Sequence, residues 1–279
     1  MAVPGVFGRD RIIAADGGSQ VSLRRARWLP WLVAVCAMAL FARLGVWQLE
    51  RAGEKRAMLA DAARALADRR PQPLQVLNDR DRAGAYDWVV LRGRFAEAPA
   101  VLLDNQQRGG KVGVRAYRVF LPKDGLLNES PAVLVDLGWS PLPSDRTLPA
   151  VPRDDTRTTL TGLLMPPPGR GLDLGPPAEQ PGGQWLTTAI DTSVLRDTLR
   201  LRDLAPRVLR PSPEPGFGFE RDFDILPNTL PPERHVGYAV QWFGLSATVL
   251  IVALLLERRR RAGLRASTLA DANTDTIDA

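Results

Sequence analysis

His235 is the side chain with the clearest potential for chemistry, because it is the only histidine in the chain. A neutral imidazole is the commonest metal ligand in proteins and a frequent axial ligand of haem iron. Tyr238 and Trp242 follow it at three and seven residues, a spacing that puts all three on one face of a helix. This pattern suggests a haem site in which His235 binds the iron and the two aromatic side chains line an apolar pocket.

The same three residues also suit the boundary between a membrane and water. His235 would then help to end a membrane span and would hydrogen-bond with water or lipid headgroups. Tyr238 and Trp242 would belong to the aromatic belt that is common at this depth. Residue types and spacing leave both interpretations open.

Composition excludes several other kinds of site. A single histidine rules out a multi-histidine metal site and, at a membrane edge, a Ser-His-Asp triad in a soluble domain. The one cysteine, Cys36, lies in an apolar segment, so the rest of the chain has no thiol chemistry. The glycines of "GRGLDLG" (169–175) lie among prolines and fit turns better than a phosphate-binding loop. We therefore expect no enzymatic activity.

Two apolar segments must position His235. Residues 236–256 are 21 residues without a formal charge, which as a helix span about the 30 Å of a bilayer core. An earlier apolar segment begins at Trp28 and reaches spanning length only past Arg43, whose long side chain can extend to the headgroups. A signal peptide cleaved near "AMA" (37–39) is the alternative, but apolar character resumes after Arg43. We predict transmembrane helices at residues 28–49 and 235–256.

The charge of the chain is concentrated at its two ends. The net charge is +6, yet residues 50–234 hold 26 basic and 25 acidic side chains. The positive-inside rule therefore places the tails in the cytoplasm and residues 50–234 outside it. We expect the tails to be residues 1–27 and residues 257–279, the second of them basic and disordered.

The same distribution bears on partners and location. The basic residues flank membrane spans and form no patch on a soluble domain, so we expect membrane lipid and no nucleic acid as a partner. The N-terminal stretch is short and contains Asp10 and Asp16, unlike a mitochondrial transit peptide. We therefore predict a multi-pass protein of the bacterial inner membrane with both termini cytoplasmic and a periplasmic region between the spans.

The region between the spans begins as a helix and then changes character. Helix-forming residues continue up to Pro71, and five short segments rich in Val, Leu and Thr follow between residues 88 and 165. They predict an antiparallel sheet or a partly closed barrel. A further helix fits residues 191–203, with Asp191 or Thr192 as its cap. The predicted fold class is membrane α+β, with two transmembrane helices flanking an external antiparallel β-rich domain.

Two motifs resemble a known family. "LGVWQLERAGEK" (44–55) is similar to the signature that follows the first span in the Surfeit locus protein 1 family. "HVGYAVQWFGLSA" (235–247) resembles the start of that family's second span. The strand segments between them occur in the expected order, so the resemblance covers roughly residues 28–256.

The resemblance implies an assembly factor for cytochrome c oxidase that takes part in maturing the haem a sites of the catalytic subunit. Its expected partners are that subunit and other oxidase assembly factors. Some bacterial members are held to bind haem a through the histidine that opens the second span, which by motif is His235. Two hypotheses follow: a haem a chaperone in which Tyr238 and Trp242 support His235, or a haem-free scaffold that stabilises an assembly intermediate.

Overall fold

The structure is a computed structural model that describes residues 28–123, 130–169, 175–225 and 230–275. The chain divides into two bodies. We call the first, Met1–Glu50 with Val236–Ala279, the helical body, and the second, Arg51–His235, the barrel body.

The helical body contains most of two long helices, α1 (Leu29–Asp68) and α3 (Pro232–Asp275). Residues later in α1 contact residues earlier in α3, so the two helices are antiparallel in this body. The ring of Phe41 stacks on that of Trp242 with 5.7 Å between centroids, and Ser246 Oγ donates a hydrogen bond to the carbonyl of Met38 at 3.2 Å. The less exposed positions recur at alternating spacings of three and four, the pattern of paired helices. They are Trp31, Ala34, Met38, Phe41 and Gly45 on α1, and Ala239, Trp242, Ser246 and Val249 on α3.

Gly45 lies at a point where α1 and α3 approach closely. A Cβ atom at this position would lie only 2.7 Å from the ring of Phe243, well inside van der Waals contact. Gly53, further along α1, would meet nothing within 4 Å. The first glycine is therefore a packing residue and the second is not.

Both long helices are long and apolar enough to cross a membrane. Their outward faces carry large apolar side chains such as Leu32, Leu40, Ile251 and Leu255, which are exposed. In water this surface would be unfavourable, whereas in a bilayer it would contact lipid. The two apolar helices thus suggest a membrane protein.

Both helices extend beyond the predicted spans. For α1 this was expected, because helix-forming residues continue up to Pro71, and α1 ends at Asp68. For α3 the structure differs from the prediction, since the helix continues to Asp275 where a disordered tail was expected from residue 257. Arginine, alanine and leucine favour helix there, and the pair Glu257–Arg261 at 2.8 Å stabilises the first turn of the extension.

The barrel body contains eight strands among the residues that the structure describes. They are β1 (Asp87–Phe95), β2 (Val101–Arg108), β3 (Lys111–Pro122), β4 (Ala132–Pro141), β5 (Thr159–Met165), β6 (Ala178–Gln180), β7 (Gln184–Thr187) and β8 (Leu204–Pro211). They form one sheet in the order β1-β5-β8-β4-β3-β2-β7-β6, and β1 also pairs with β3. That extra pairing closes five strands, β1, β5, β8, β4 and β3, into a barrel.

The predicted β-rich domain is present and includes a barrel, but the prediction of antiparallel pairing is wrong for two strand pairs. The pairs β2–β7 and β4–β8 are parallel, while the other pairs are antiparallel. Parallel neighbours need long connections, and in both pairs the intervening chain contains other strands. The helix predicted at residues 191–203 is present but shorter, as α2 (Thr192–Thr198). Asp191 rather than Thr192 is its cap and accepts from the backbone N–H groups of Ser193 and Val194.

Two apolar clusters hold the barrel body together. Successive residues of β4 belong to the two clusters in turn. Val133, Val135 and Leu137 belong to one cluster, and Ala132 and Leu134 belong to the other. The first cluster fills the barrel. The second lies between the outer face of the barrel and the helices α1 and α2, and it contains Ala62, Tyr117, Leu163 and Leu195. The C-terminal part of α1 is therefore packed on the barrel.

Candidate functional site

His235 lies in the first turn of α3 and is the last residue of the barrel body. Only 8% of its surface is exposed. Lys55 and Arg51, one turn apart on α1, are close enough for their positive charges to act on the imidazole. The imidazole is thus buried near two basic side chains of α1, of which Arg51 also pairs with Glu54 at 2.7 Å.

Lys55 fixes the chain just before His235. Its side chain is 5% exposed, and its Nζ donates a hydrogen bond of 2.5 Å to the backbone carbonyl of Leu230. Pro232 then opens α3, a position where the ring of proline suits the helix and its missing N–H costs nothing. Lys55 therefore links α1 to the segment that begins α3 and carries His235.

The segment 217–225, which leads towards α3, is tied to the barrel by its backbone. The N–H of Phe219 donates to the carbonyl of Leu137 at 2.7 Å, and the N–H of Trp139 donates to the carbonyl of Glu220 at 2.9 Å. Further along, Arg210 Nη1 donates to the carbonyl of Asp224 at 2.6 Å. Strands β4 and β8 thus hold this segment in place.

Arg210 also belongs to a buried ionic cluster centred on Asp136. The carboxylate of Asp136 is fully buried and accepts hydrogen bonds of 2.8 Å from Arg115 Nη1 and from Arg210 Nε. Burial alone would raise the pKa of Asp136, but the two guanidinium groups outweigh it and lower the pKa below its usual value. Asp136 is therefore ionised at neutral pH, and its charge is compensated within the fold.

Asp87 at the start of β1 forms a second cluster of the same kind. Arg207 Nη1 donates to it at 2.6 Å and Arg82 Nη2 at 2.5 Å, and burial again opposes these partners, whose combined effect lowers the pKa of Asp87. Arg207 donates in addition to the carbonyl of Val76 at 2.6 Å. Both buried carboxylates are saturated by guanidinium donors, so neither is available as a general base.

Tyr117 lies beside the Asp136 cluster and is fully buried. Burial raises the pKa of its phenol far above the usual value, so the hydroxyl stays protonated. Both buried clusters and Tyr117 therefore serve the architecture of the barrel body. His235 is the remaining candidate for a chemical role.

The structure places the two aromatic residues predicted beside His235 in different surroundings. Trp242 lies on the less exposed stripe of α3 and stacks on Phe41 within the helical body. Tyr238 falls outside that stripe, and 39% of its surface is exposed. A role for Tyr238 and Trp242 at a cofactor stays a prediction.

Sequence reasoning assigned no role to Arg51 and Lys55, although both stand in the motif at residues 44–55. A signal for Lys55 does exist in the sequence. It occupies a position of the three-and-four repeat that continues along α1 through Ala52, Lys55 and Ala62, where a lysine is unusual because the position is buried.

Within the described residues, no group of three or more His, Cys, Asp and Glu side chains could hold a metal ion. A cleft of about 550 Å³ lies elsewhere in the barrel body, and its charged side chains include the pairs Arg64–Asp61 and Arg82–Asp87. His235 would be the residue that holds haem iron, because a neutral imidazole is a common ligand of that iron.

Comparison with known proteins shows the family of the chain. The model of the SURF1 family matches residues 35–247. The match begins in α1 and ends in α3, so it includes the whole barrel body and the residues His235, Tyr238 and Trp242. No curated protein matches the chain. The resemblance to the Surfeit locus protein 1 family is thus confirmed.

Proposed function

We propose that this protein assists the haem a maturation of the catalytic subunit of cytochrome c oxidase. The premise is that the chain belongs to the SURF1 family, which is associated with cytochrome c oxidase assembly. The partners in this proposal are that subunit and other oxidase assembly factors. The protein acts by binding and delivering, and it carries out no catalytic step.

One observation carries the proposal: the single histidine of the chain is held at the start of α3 beside two cations of α1. His235 would bind the iron of haem a, which supplies the redox chemistry of the oxidase once it is transferred. Lys55, which is buried, would attract a carboxylate group of the cofactor, because opposite charges interact strongly where water is scarce. Lys55 also holds the chain at Leu230, which keeps the start of α3 in place.

The two apolar helices and the positive charge at the two ends of the chain support the proposed location. Residues 28–49 and 235–256 would cross the bacterial inner membrane, with both termini in the cytoplasm and residues 50–234 in the periplasm. His235 would then lie at the periplasmic edge of the second span. This is the level at which a cofactor soluble in lipid could pass from one membrane protein to another.

A haem-free scaffold is the second candidate, and the burial of His235 favours it. At 8% exposure the imidazole is covered by protein, as expected of a residue that packs helices. The buried ion pairs of Asp87 and Asp136 stabilise the barrel body, which could then hold an assembly intermediate. In this alternative the barrel body contacts the catalytic subunit and other factors load the cofactor.

An absorption spectrum separates the two functions. The full-length protein is produced in cells that also overproduce the enzymes of haem a synthesis, purified in mild detergent, and scanned in the visible region. The chaperone proposal expects a haem a spectrum at close to one cofactor per chain, and none from cells that lack haem a. A colourless protein from cells rich in haem a would contradict it and support the scaffold.

A further inference from the structure

Helix α3 carries a run of four arginines directly after its apolar stretch. Arg258, Arg259, Arg260 and Arg261 are all exposed. Because successive residues of an α-helix are about 100° apart, four in a row point to all sides of the helix axis. They form a collar of positive charge around α3, which we call the arginine collar.

The charge of the arginine collar is only partly neutralised. Arg261 Nε donates to Glu257 at 2.8 Å, and the side chain of Arg261 is still 72% exposed. Arg265 is exposed one turn further on. Residues 257–265 therefore contain five arginines and one glutamate.

The arginine collar begins where an apolar surface ends. Leu254, Leu255 and Leu256 are about half exposed and immediately precede it. At the same end of the helical body, Trp28 is exposed and Trp31 forms a side-chain hydrogen bond with Glu257. A change from apolar to charged surface, marked by tryptophans, is typical of the headgroup level of a bilayer.

We propose that the arginine collar is a binding site for the headgroups of anionic phospholipids. A guanidinium group matches a phosphate with two parallel hydrogen bonds and is less strongly hydrated than an ammonium group. Zwitterionic lipids also carry a phosphate, but their own ammonium group cancels its charge. The adjoining leucines would contact the acyl chains of the same lipid. This site rests on the membrane placement of α3 and is independent of haem binding at His235.

Titration with lipid tests the site on the full-length protein in mild detergent. Phosphatidylglycerol, or phosphatidylcholine with the same acyl chains, is added in steps, and bound lipids are counted by native mass spectrometry. We expect phosphatidylglycerol to bind more tightly. The triple variant R258Q/R259Q/R260Q should weaken this binding by at least about tenfold, since each basic residue near an anionic lipid surface contributes roughly a fivefold factor. Its binding of phosphatidylcholine should not change.

A matched variant tests whether position matters or only net charge. R80Q/R92Q/R94Q removes three exposed arginines of the barrel body and should keep the wild-type affinity for phosphatidylglycerol. Equal losses in both variants, or no loss in the collar variant, would overturn the proposal. If the glutamine variant does not accumulate, R258K/R259K/R260K preserves the charge and should bind phosphatidylglycerol more weakly than the wild type does. Unchanged binding by that lysine variant would overturn the proposal as well.

Discussion

Replacing Asp136 by asparagine should destabilise the barrel body strongly. The substitution keeps the shape of the side chain but removes the charge that compensates Arg115 and Arg210, whose side chains are 4% and 2% exposed. Removing one partner of a buried ion pair leaves a charge without compensation and costs about 3–5 kcal/mol. For a domain of this size, such a loss lowers the melting temperature by roughly 6–20 °C. The segment 217–225 should loosen too, because Arg210 also holds Asp224.

Asp197→Asn is the matched control. Arg196 Nη2 lies 2.8 Å from Asp197, the same distance as in the Asp136 pairs, but the two side chains are 40% and 71% exposed. An exposed pair contributes about 0–1 kcal/mol, so this variant should unfold close to the wild type. Thermal unfolding of both variants in detergent, followed by tryptophan fluorescence, measures the difference. Equal melting temperatures for the two variants would refute the claim that burial makes the Asp136 cluster important.

The pH dependence of unfolding gives an independent check on the same cluster. The pKa of Asp136 is lower in the fold than in the unfolded chain, so its contribution is fully present above the unfolded pKa of about 4. That contribution is lost as the pH falls through the lower pKa of the folded state. The difference in stability between the wild type and Asp136→Asn should therefore be constant from pH 7 to about pH 5 and should shrink below pH 4. Asp136→Asn should lose less over the acidic interval.

Three further predictions concern the helices and the cell. Gly45→Ala should destabilise the helical body by about 1–3 kcal/mol in thermal unfolding, because the new Cβ would lie 2.7 Å from Phe243, whereas Gly53→Ala, with open space around it, should be neutral or stabilising. A topology reporter inserted near Pro166 should be active only if it works in the periplasm, and a cytoplasmic signal would refute the two-span arrangement. Deleting the gene should lower cytochrome c oxidase activity while haem a is still made, and loss of haem a itself would contradict an assembly role.

Local signals were sufficient to predict most elements of the fold. Twenty-one uncharged residues can form little other than a membrane helix or a fully buried one, and short segments rich in Val, Leu and Thr between turns favour strands. The five strands predicted between residues 88 and 165 are all present. Predicting these strands required no information about contacts with distant parts of the chain.

Closure of the barrel and the surroundings of His235 depend on contacts between distant parts of the chain. Strand β8 contains Pro206 and Pro211, which argue against a strand locally, yet it joins β4 and β5 and completes the barrel. Lys55 and His235 are 180 residues apart in the sequence (235 − 55), and they come close because α1 and α3 are antiparallel. No pattern within either motif could predict that contact.

The spectrum of His235→Ala tests the central claim most directly. The variant and the wild type are purified from cells that overproduce haem a, and haem per chain is measured from absorption, with membrane abundance of each protein checked by immunoblot. Tyr238→Phe is the control on the same helix, since it removes only the hydroxyl of a partly exposed side chain and leaves the imidazole in place. We predict that His235→Ala accumulates normally but loses the bound haem, while the control keeps most of it. Unchanged haem content and normal oxidase assembly with His235→Ala would show that the imidazole only packs the helices.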